Sequence, residues 1–187
     1  MVTVICRWRM VIHGGIDGFS RRIMFIKCSD NNRAETVFQS FEQAVFLYGL
    51  PLRVRSDKGR ENCDVAWYML NHPQRGPEMA SFITGRSVHN QRIERLWRDV
   101  YTVCTYIYHQ LFSKMENQGL LDADDEMRLF CLHYVFIPRI NRDLHDFSEA
   151  FNNTPMRTER NKTPVQLWNM GLLEGRGPPI QEEIEVS

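Results

Sequence analysis

Asp57 and Glu94, with 36 residues between them, are the side chains of this chain whose types and setting could do metal chemistry. Asp57 stands in Val-Arg-Ser-Asp-Lys-Gly-Arg-Glu-Asn at 54–62, and Glu94 in His-Asn-Gln-Arg-Ile-Glu-Arg-Leu-Trp at 89–97. Phosphodiester cleavage and transfer need the attacking and leaving oxygens held in line while charge is neutralised, and two metal ions ~3.5–4 Å apart do both. Mg2+, or Mn2+ in its place, takes hard oxygen ligands, usually one or two protein carboxylates with phosphate and water. A strand end and a helix that each bring a carboxylate to one cleft form the right kind of scaffold, so Asp57 and Glu94 are the candidate metal ligands and catalytic residues. Each also has a plainer reading. An Asp before Lys58-Gly59 is ordinary turn chemistry. A helical Glu94 facing Arg98 at i,i+4 is an ion pair contributing ~0.2–0.5 kcal/mol.

Cations surround both carboxylates. Arg55, Lys58 and Arg60 flank Asp57, while Arg92, Arg95 and Arg98 share the segment of Glu94. Arginines and lysines so placed would bind phosphates beside the cleft, which positions a nucleic acid without reading its sequence. The alternative is surface solubility with pairing to Glu94, Asp99 and Glu61. Tyr101, Tyr106 and Tyr108 suit a core or an interface better than a base-stacking platform.

The elements that must position these residues are set by periodicity. Trp8 to Ile16 reads as a strand, Asp17-Gly18-Phe19-Ser20 as a turn, and Ile23 to Cys28 as the second arm of a hairpin. Asn31 or Asn32 caps a helix with apolar positions at Ala34, Val37, Phe38, Phe41, Val45 and Phe46, stopped by Gly49-Leu50-Pro51. Leu52 to Ser56 is a short strand that ends at Asp57, Asn62 to Leu70 a helix, and Ser81 to Thr84 a last small strand. A long helix begins at Val88 with Ile93, Leu96, Trp97, Val100, Cys104, Ile107 and Leu111 on one stripe, and Glu94 beside it with Asn90 and Arg98. Helical periodicity resumes from Glu126 and is kinked or interrupted by Pro138 before continuing to about Phe151. Thr163 caps a short helix with Pro164 at its first position. A hairpin, then helix, strand, helix and long helices imply α/β layers with helices packed on a mixed sheet.

The 187 residues, 43% apolar and 25% charged, suit one domain with a sizeable core. The expected boundaries are 1–170 for the domain and 171–187 for a disordered tail. No apolar run approaches the ~18 residues of a membrane span. The first residues lack a secretory pattern, and five widely spaced cysteines suit buried, reduced thiols in a cell interior. Zero net charge argues against a general nucleic-acid coat protein, but it hides a gradient. Residues 1–60 hold ten Lys/Arg against five Asp/Glu, and residues 101–187 hold eight against thirteen. Such asymmetry can mark a nucleic-acid face at one end.

Ser-Asp-x-Gly at a strand end, followed after about 35 residues by Asn-x-x-x-Glu on a helix, resembles the second and third acidic positions of the integrase core. That is the metal-dependent strand-transfer domain of retroviruses and transposons. Ile16-Asp17-Gly18-Phe19-Ser20-Arg21 resembles the family's Asp-x-x-Ser-Arg turn. Asn152-Asn153-Thr154-Pro155 with Lys162-Thr163-Pro164 resembles its trailing segment. The similarity covers roughly residues 7–170, and is to integrase-core proteins of animals that derive from mobile elements. It implies a ribonuclease H-like mixed sheet with helices on both faces, Mg2+ or Mn2+ at Asp57 and Glu94, DNA as partner, and a nuclear rather than cytoplasmic location. DNA versus RNA, and monomer versus homodimer, stay open.

The family's first catalytic Asp sits one strand before the Asp-x-x-Ser-Arg turn, and no Asp or Glu precedes Asp17 here. Between Asp17 and Asp57 there is room for one strand fewer than the family has. Asp17 therefore reads as the turn residue, with metal binding its lesser role. The resemblance thus implies either a truncated first strand or a decayed copy, and in both cases a weakened or lost metal site in a relative of DNA-integration enzymes. The alternative is a domesticated interaction or dimerisation module without nucleic-acid chemistry.

Overall fold

The computed structural model describes residues 5–85 and 91–175, with the side chains of Gln91 and Arg92 excluded. The start of the long helix at Val88–Asn90 and the tail from 176 lie outside the described residues.

The hairpin forms as its alternating β-branched residues and polar turn require. Strand β1 (Val11–Ile16) pairs antiparallel with β2 (Ile23–Ser29), with a register shift between Gly15 and Ile16. β1 starts three residues later than Trp8, because Cys6–Trp8 is a 3-10 turn that ends with Arg9 in the left-handed region. Trp8 is thereby buried, edge-on to His109 and Phe112. Helix α1 (Ala34–Tyr48) comes next. Asn31 is not its N-cap, a position Arg33 takes; the Asn31 Oδ1 accepts from the Arg33 N–H and from the hydroxyl of Thr36 in the first turn.

Strand β3 (Val54–Ser56) ends at Asp57, α2 spans Cys63–Asn71, and β4 (Phe82–Thr84) lies parallel to β3. The expected α/β architecture with both antiparallel and parallel pairing is present, carried among the described residues by two ladders, β1–β2 and β3–β4. Helices cover both faces of β1–β2. On one face Met10, Ile12 and Cys28 join Leu96, Val100, Phe112, Leu132 and Leu144 in the larger core. On the other, Phe25 packs with Val37, Phe41, Val45, Val65 and Met69 in a smaller core shared with β3 and β4.

Helix α3 (Gln91–Val100) runs into a π-helical turn (Tyr101–Thr105) and then α4 (Tyr106–Asn117). This corrects the expected apolar stripe. A π turn holds one extra residue, so the buried line runs Leu96, Val100, Cys104, Tyr108, Phe112, while Ile107 and Leu111 face outward. Helix α5 (Glu126–Asn152) passes through Pro138 without interruption. Pro138 and Tyr134, whose carbonyl loses its intrahelical donor, are both exposed. Helix α6 (Pro164–Leu173) starts on a capping box between Thr163 and Gln166, and its last three residues continue past the expected boundary at 170.

No helix among the described residues is long and apolar enough to cross a membrane. Cys28 and Cys104 are buried, Cys6 is half-buried, and Cys63 and Cys131 are exposed, contrary to the expectation of uniform burial. Burial pushes the Cys28 thiol up to about 12 and the Cys104 thiol to about 11, which keeps both protonated and inert.

Candidate functional site

A cleft of about 1380 Å³ opens between the two ladders. β1 contributes Ile12 to Ile16, β3 contributes Val54, Arg55 and Ser56, and Asp57 lies at the cleft's rim as the chain leaves β3. Helix α1 walls it with Val37, Phe41 and Val45, and α3 with Ile93 and Trp97.

Asp57 is half-buried, and its Oδ1 accepts from the Gly59 N–H at 3.3 Å and the Asn62 amide at 3.1 Å. Three features that sequence reasoning left aside join it. Glu61 folds its carboxylate back over Gly59, so that a Cβ at Gly59 would collide with it. Asn62 closes the Asp57 turn. His13 lines the same cleft, is buried, and hydrogen-bonds the Asn31 carbonyl at 3.4 Å, so that Nε2 carries the proton. Desolvation lowers the His13 pKa, with the Asn31 hydrogen bond and the charge of Glu61 pulling weakly the other way. A Glu four residues after the turn Asp was the available signal for Glu61. For His13, alternation along β1 was the only one.

Asp17 also lines the cleft, but its Oδ2 accepts from the Phe19 N–H, the Ser20 N–H and the Ser20 hydroxyl, at 3.1, 2.6 and 2.7 Å. Those donors tie the carboxylate to the hairpin turn. Glu94, Arg95 and Arg98 are exposed on α3, beside the cleft-lining Ile93 and Trp97. The expected Glu94–Arg98 ion pair does not form. Arg55, Lys58 and Arg60 are exposed and likewise make no ion pair with any described residue. Arg55 stands in the cleft beside Asp57, and the Arg92 side chain lies outside the described residues.

The described residues do not fit a two-ion centre. Among the described residues, no group of three or more His, Cys, Asp or Glu side chains converges in a way that could hold a metal. Asp17 and Asp57 both spend acceptor capacity on their own turns, and Glu94 is turned to solvent. What the arrangement offers is a cleft of mixed polarity whose lining includes Arg55, an exposed cation with no ion pair to a described residue.

A family model described as Integrase core domain matches residues 2–179. No curated protein matches the chain.

Proposed function

We propose, from the premise that the chain belongs to the integrase core domain family, that it binds nucleic acid, DNA above all, and has impaired strand-transfer chemistry. The family ties the fold to DNA integration and to nucleic-acid binding. The observation that carries the reading is a set of exposed cations with no ion pair to a described residue: Arg55 in the cleft lining, Lys58 next to Asp57, and Arg95 and Arg98 on α3. Each phosphate neutralised by such a cation releases counterions, so affinity should fall steeply with salt. Asp57 and Glu94 are the residues that would hold Mg2+ or Mn2+ in an intact site. The missing convergence of a third carboxylate supports weak or absent metal binding. A mobile-element ancestry and a nuclear location fit this role.

The test is DNA affinity of wild type and an Arg95→Glu/Arg98→Glu variant at low salt. Loss of roughly two phosphate contacts should reduce the slope of log affinity against log salt by about 1.8. Unchanged affinity and slope would overturn binding through α3.

A second reading, a protein-interaction or dimerisation module, is favoured by one observation. Met127, Phe130 and Tyr134 form an exposed stripe on α5, with Phe130 and Tyr134 stacked at 6.4 Å. Sedimentation of wild type against Phe130→Glu/Tyr134→Glu decides it, a monomer in both cases removing the homodimer.

A further inference from the structure

The chain between α5 and α6 closes on itself at 156–162. The Met156 N–H donates to the Lys162 carbonyl at 2.9 Å, and the Glu159 and Asn161 N–H groups both donate back to the Met156 carbonyl at 3.0 Å. The Lys162 N–H donates to the Glu159 carbonyl at 3.1 Å. So tight a closure puts Arg160 and Asn161 in the left-handed region, at φ 55° and 58°. An Asn tolerates that backbone, whereas an Arg is costlier there than the glycine such a turn favours. The loop is also held from outside. Arg21, at the β1–β2 turn, donates from Nη2 to the Glu159 carboxylate at 2.7 Å and from Nη1 to the Thr158 hydroxyl at 3.2 Å.

This closed loop gathers positive charge in the acidic half of the chain. Residues 101–187 carry eight Lys/Arg against thirteen Asp/Glu, yet three of the eight, Arg157, Arg160 and Lys162, stand at 157–162. The one acid between them, Glu159, is already paired with Arg21. Arg157 and Arg160 are exposed and Lys162 is half-buried, and none of the three makes an ion pair with a described residue. Helix α6 starts at Pro164, so the positive end of its macrodipole adds to the same field. The exposed Thr158 hydroxyl accepts from Arg21 and keeps its own proton to donate. Like charges on a strained, closed backbone repel one another, and an anion that neutralises several of them relieves that repulsion. An observed outlier of this kind, an Arg where a glycine would be easier, points to a functional constraint.

We infer that the loop 156–162 is a second contact site for the phosphate backbone of a nucleic acid, separate from the cations beside Asp57 and on α3. It rests on the nucleic-acid binding proposed above and extends it to another part of the surface. The Glu61 carboxylate, next to the Asp57 turn, is near enough to His13 to act on it. Arg21 lies beyond the far end of β1, and the four residues from His13 to Asp17 cover about 13 Å at ~3.3 Å each. Guanidinium, ammonium and hydroxyl donors at such a loop hold phosphate oxygens and set the orientation of the polymer without reading its sequence. A chain of regularly spaced phosphates can engage both cation sets at once, and the second engagement is then intramolecular, which raises the affinity of the whole.

The test is the salt dependence of duplex DNA affinity for the full chain and for an Arg157→Glu/Arg160→Glu variant, which leaves Arg21 and Glu159 in place. The slope of log affinity against log salt should fall by about 1.8 for two lost phosphate contacts, with Tm unchanged. Arg160→Gly separates charge from conformation: glycine accepts φ 55° without strain, so Tm should hold or rise while the slope falls by about 0.9. Wild-type affinity and slope in both loop variants, with binding lost in Arg95→Glu/Arg98→Glu, would overturn the second site and leave nucleic-acid binding standing. No DNA binding by wild type would remove both. A fall in affinity that comes with a fall in Tm in both loop variants would make the loop's role structural and overturn the inference. So would retention on phosphatidylserine vesicles that the loop variants lose while their DNA affinity stays at the wild-type value.

Discussion

Asn152, near the end of α5, holds the backbone of Ile23 at both of its polar atoms: the Ile23 N–H donates to Oδ1 at 2.8 Å, and Nδ2 donates to the Ile23 carbonyl at 3.2 Å. Both residues are buried. The side-chain amide thus stands in for a neighbouring strand and ties the longest helix to the first residue of β2. Asn152→Leu leaves an N–H and a C=O buried without partners, each costing about 1–3 kcal/mol. Urea denaturation should show a loss of about 2–4 kcal/mol, whereas Asn153→Leu, at an exposed neighbour, should change little. Equal effects in the two variants would remove the edge-sealing role of Asn152.

His13 gives the fold an acid-sensitive point. Its folded pKa lies below the ordinary 6.5 because burial disfavours the imidazolium. The unfolded chain therefore binds the proton more readily, and stability must decline as pH falls. The contribution is fully present above the unfolded pKa of about 6.5 and is lost as pH drops through it toward the folded value. A His13→Gln variant should show a smaller fall in Tm between pH 7.5 and pH 5.5 than wild type. Parallel Tm profiles would mean that His13 does not titrate differently in the two states.

Legibility in the sequence tracks the range of the forces involved. The hairpin, the Asp57 strand end and the Thr163 cap are local, set by turn chemistry and by side chains within a few residues of each other. The α3–α4 stripe fails halfway, because Ile107 and Leu111 continue a 3.6-residue period from Val100 as well as Tyr108 and Phe112 would. Only packing against α5 decides for the latter pair. Pro138 is a breaker by local rules, yet its solvent-facing position removes the penalty. The role of Asn152 depends on a strand edge far away in sequence, so as an isolated helix residue it looks solvated. For the candidate site, Asp57 and Asp17 were legible as turn carboxylates. The retention of their oxygens by Gly59, Asn62 and Ser20 is a matter of geometry that spacing cannot show.

The π turn itself makes a test. Because Tyr101–Thr105 carries one residue more than an α turn, deleting an exposed residue from it should restore a regular helix without rotating α4. Val103, 67% exposed, is the position for it. Deleting it leaves Leu96, Val100, Cys104, Tyr108 and Phe112 on one face, now at spacings of four, three, four and four. The expected change in stability is under about 1 kcal/mol, as for surface changes away from special features, with the same far-UV helicity. A loss of several kcal/mol would show that the extra residue is needed for packing rather than tolerated.

Catalysis is the last point at which the proposed function can fail. Asp57 Oδ1 already accepts from Gly59 and Asn62, and an Asn at 57 keeps an oxygen there, so Asp57→Asn should fold with stability close to wild type. The Glu94 side chain is exposed and makes no hydrogen bond or ion pair among the described residues, so Glu94→Gln should also be silent in stability. Both variants remove a charge that Mg2+ or Mn2+ would require. If the two carboxylates no longer form a working centre, wild type, Asp57→Asn and Glu94→Gln should nick duplex DNA at the same background rate with either metal. Neither metal should raise the Tm of wild type above that of the variants, because a bound ion would stabilise the folded state by mass action. A wild-type rate well above background that falls in both variants would establish a working metal site and reverse the reading of impaired chemistry. It would leave the cation-lined nucleic-acid surface intact.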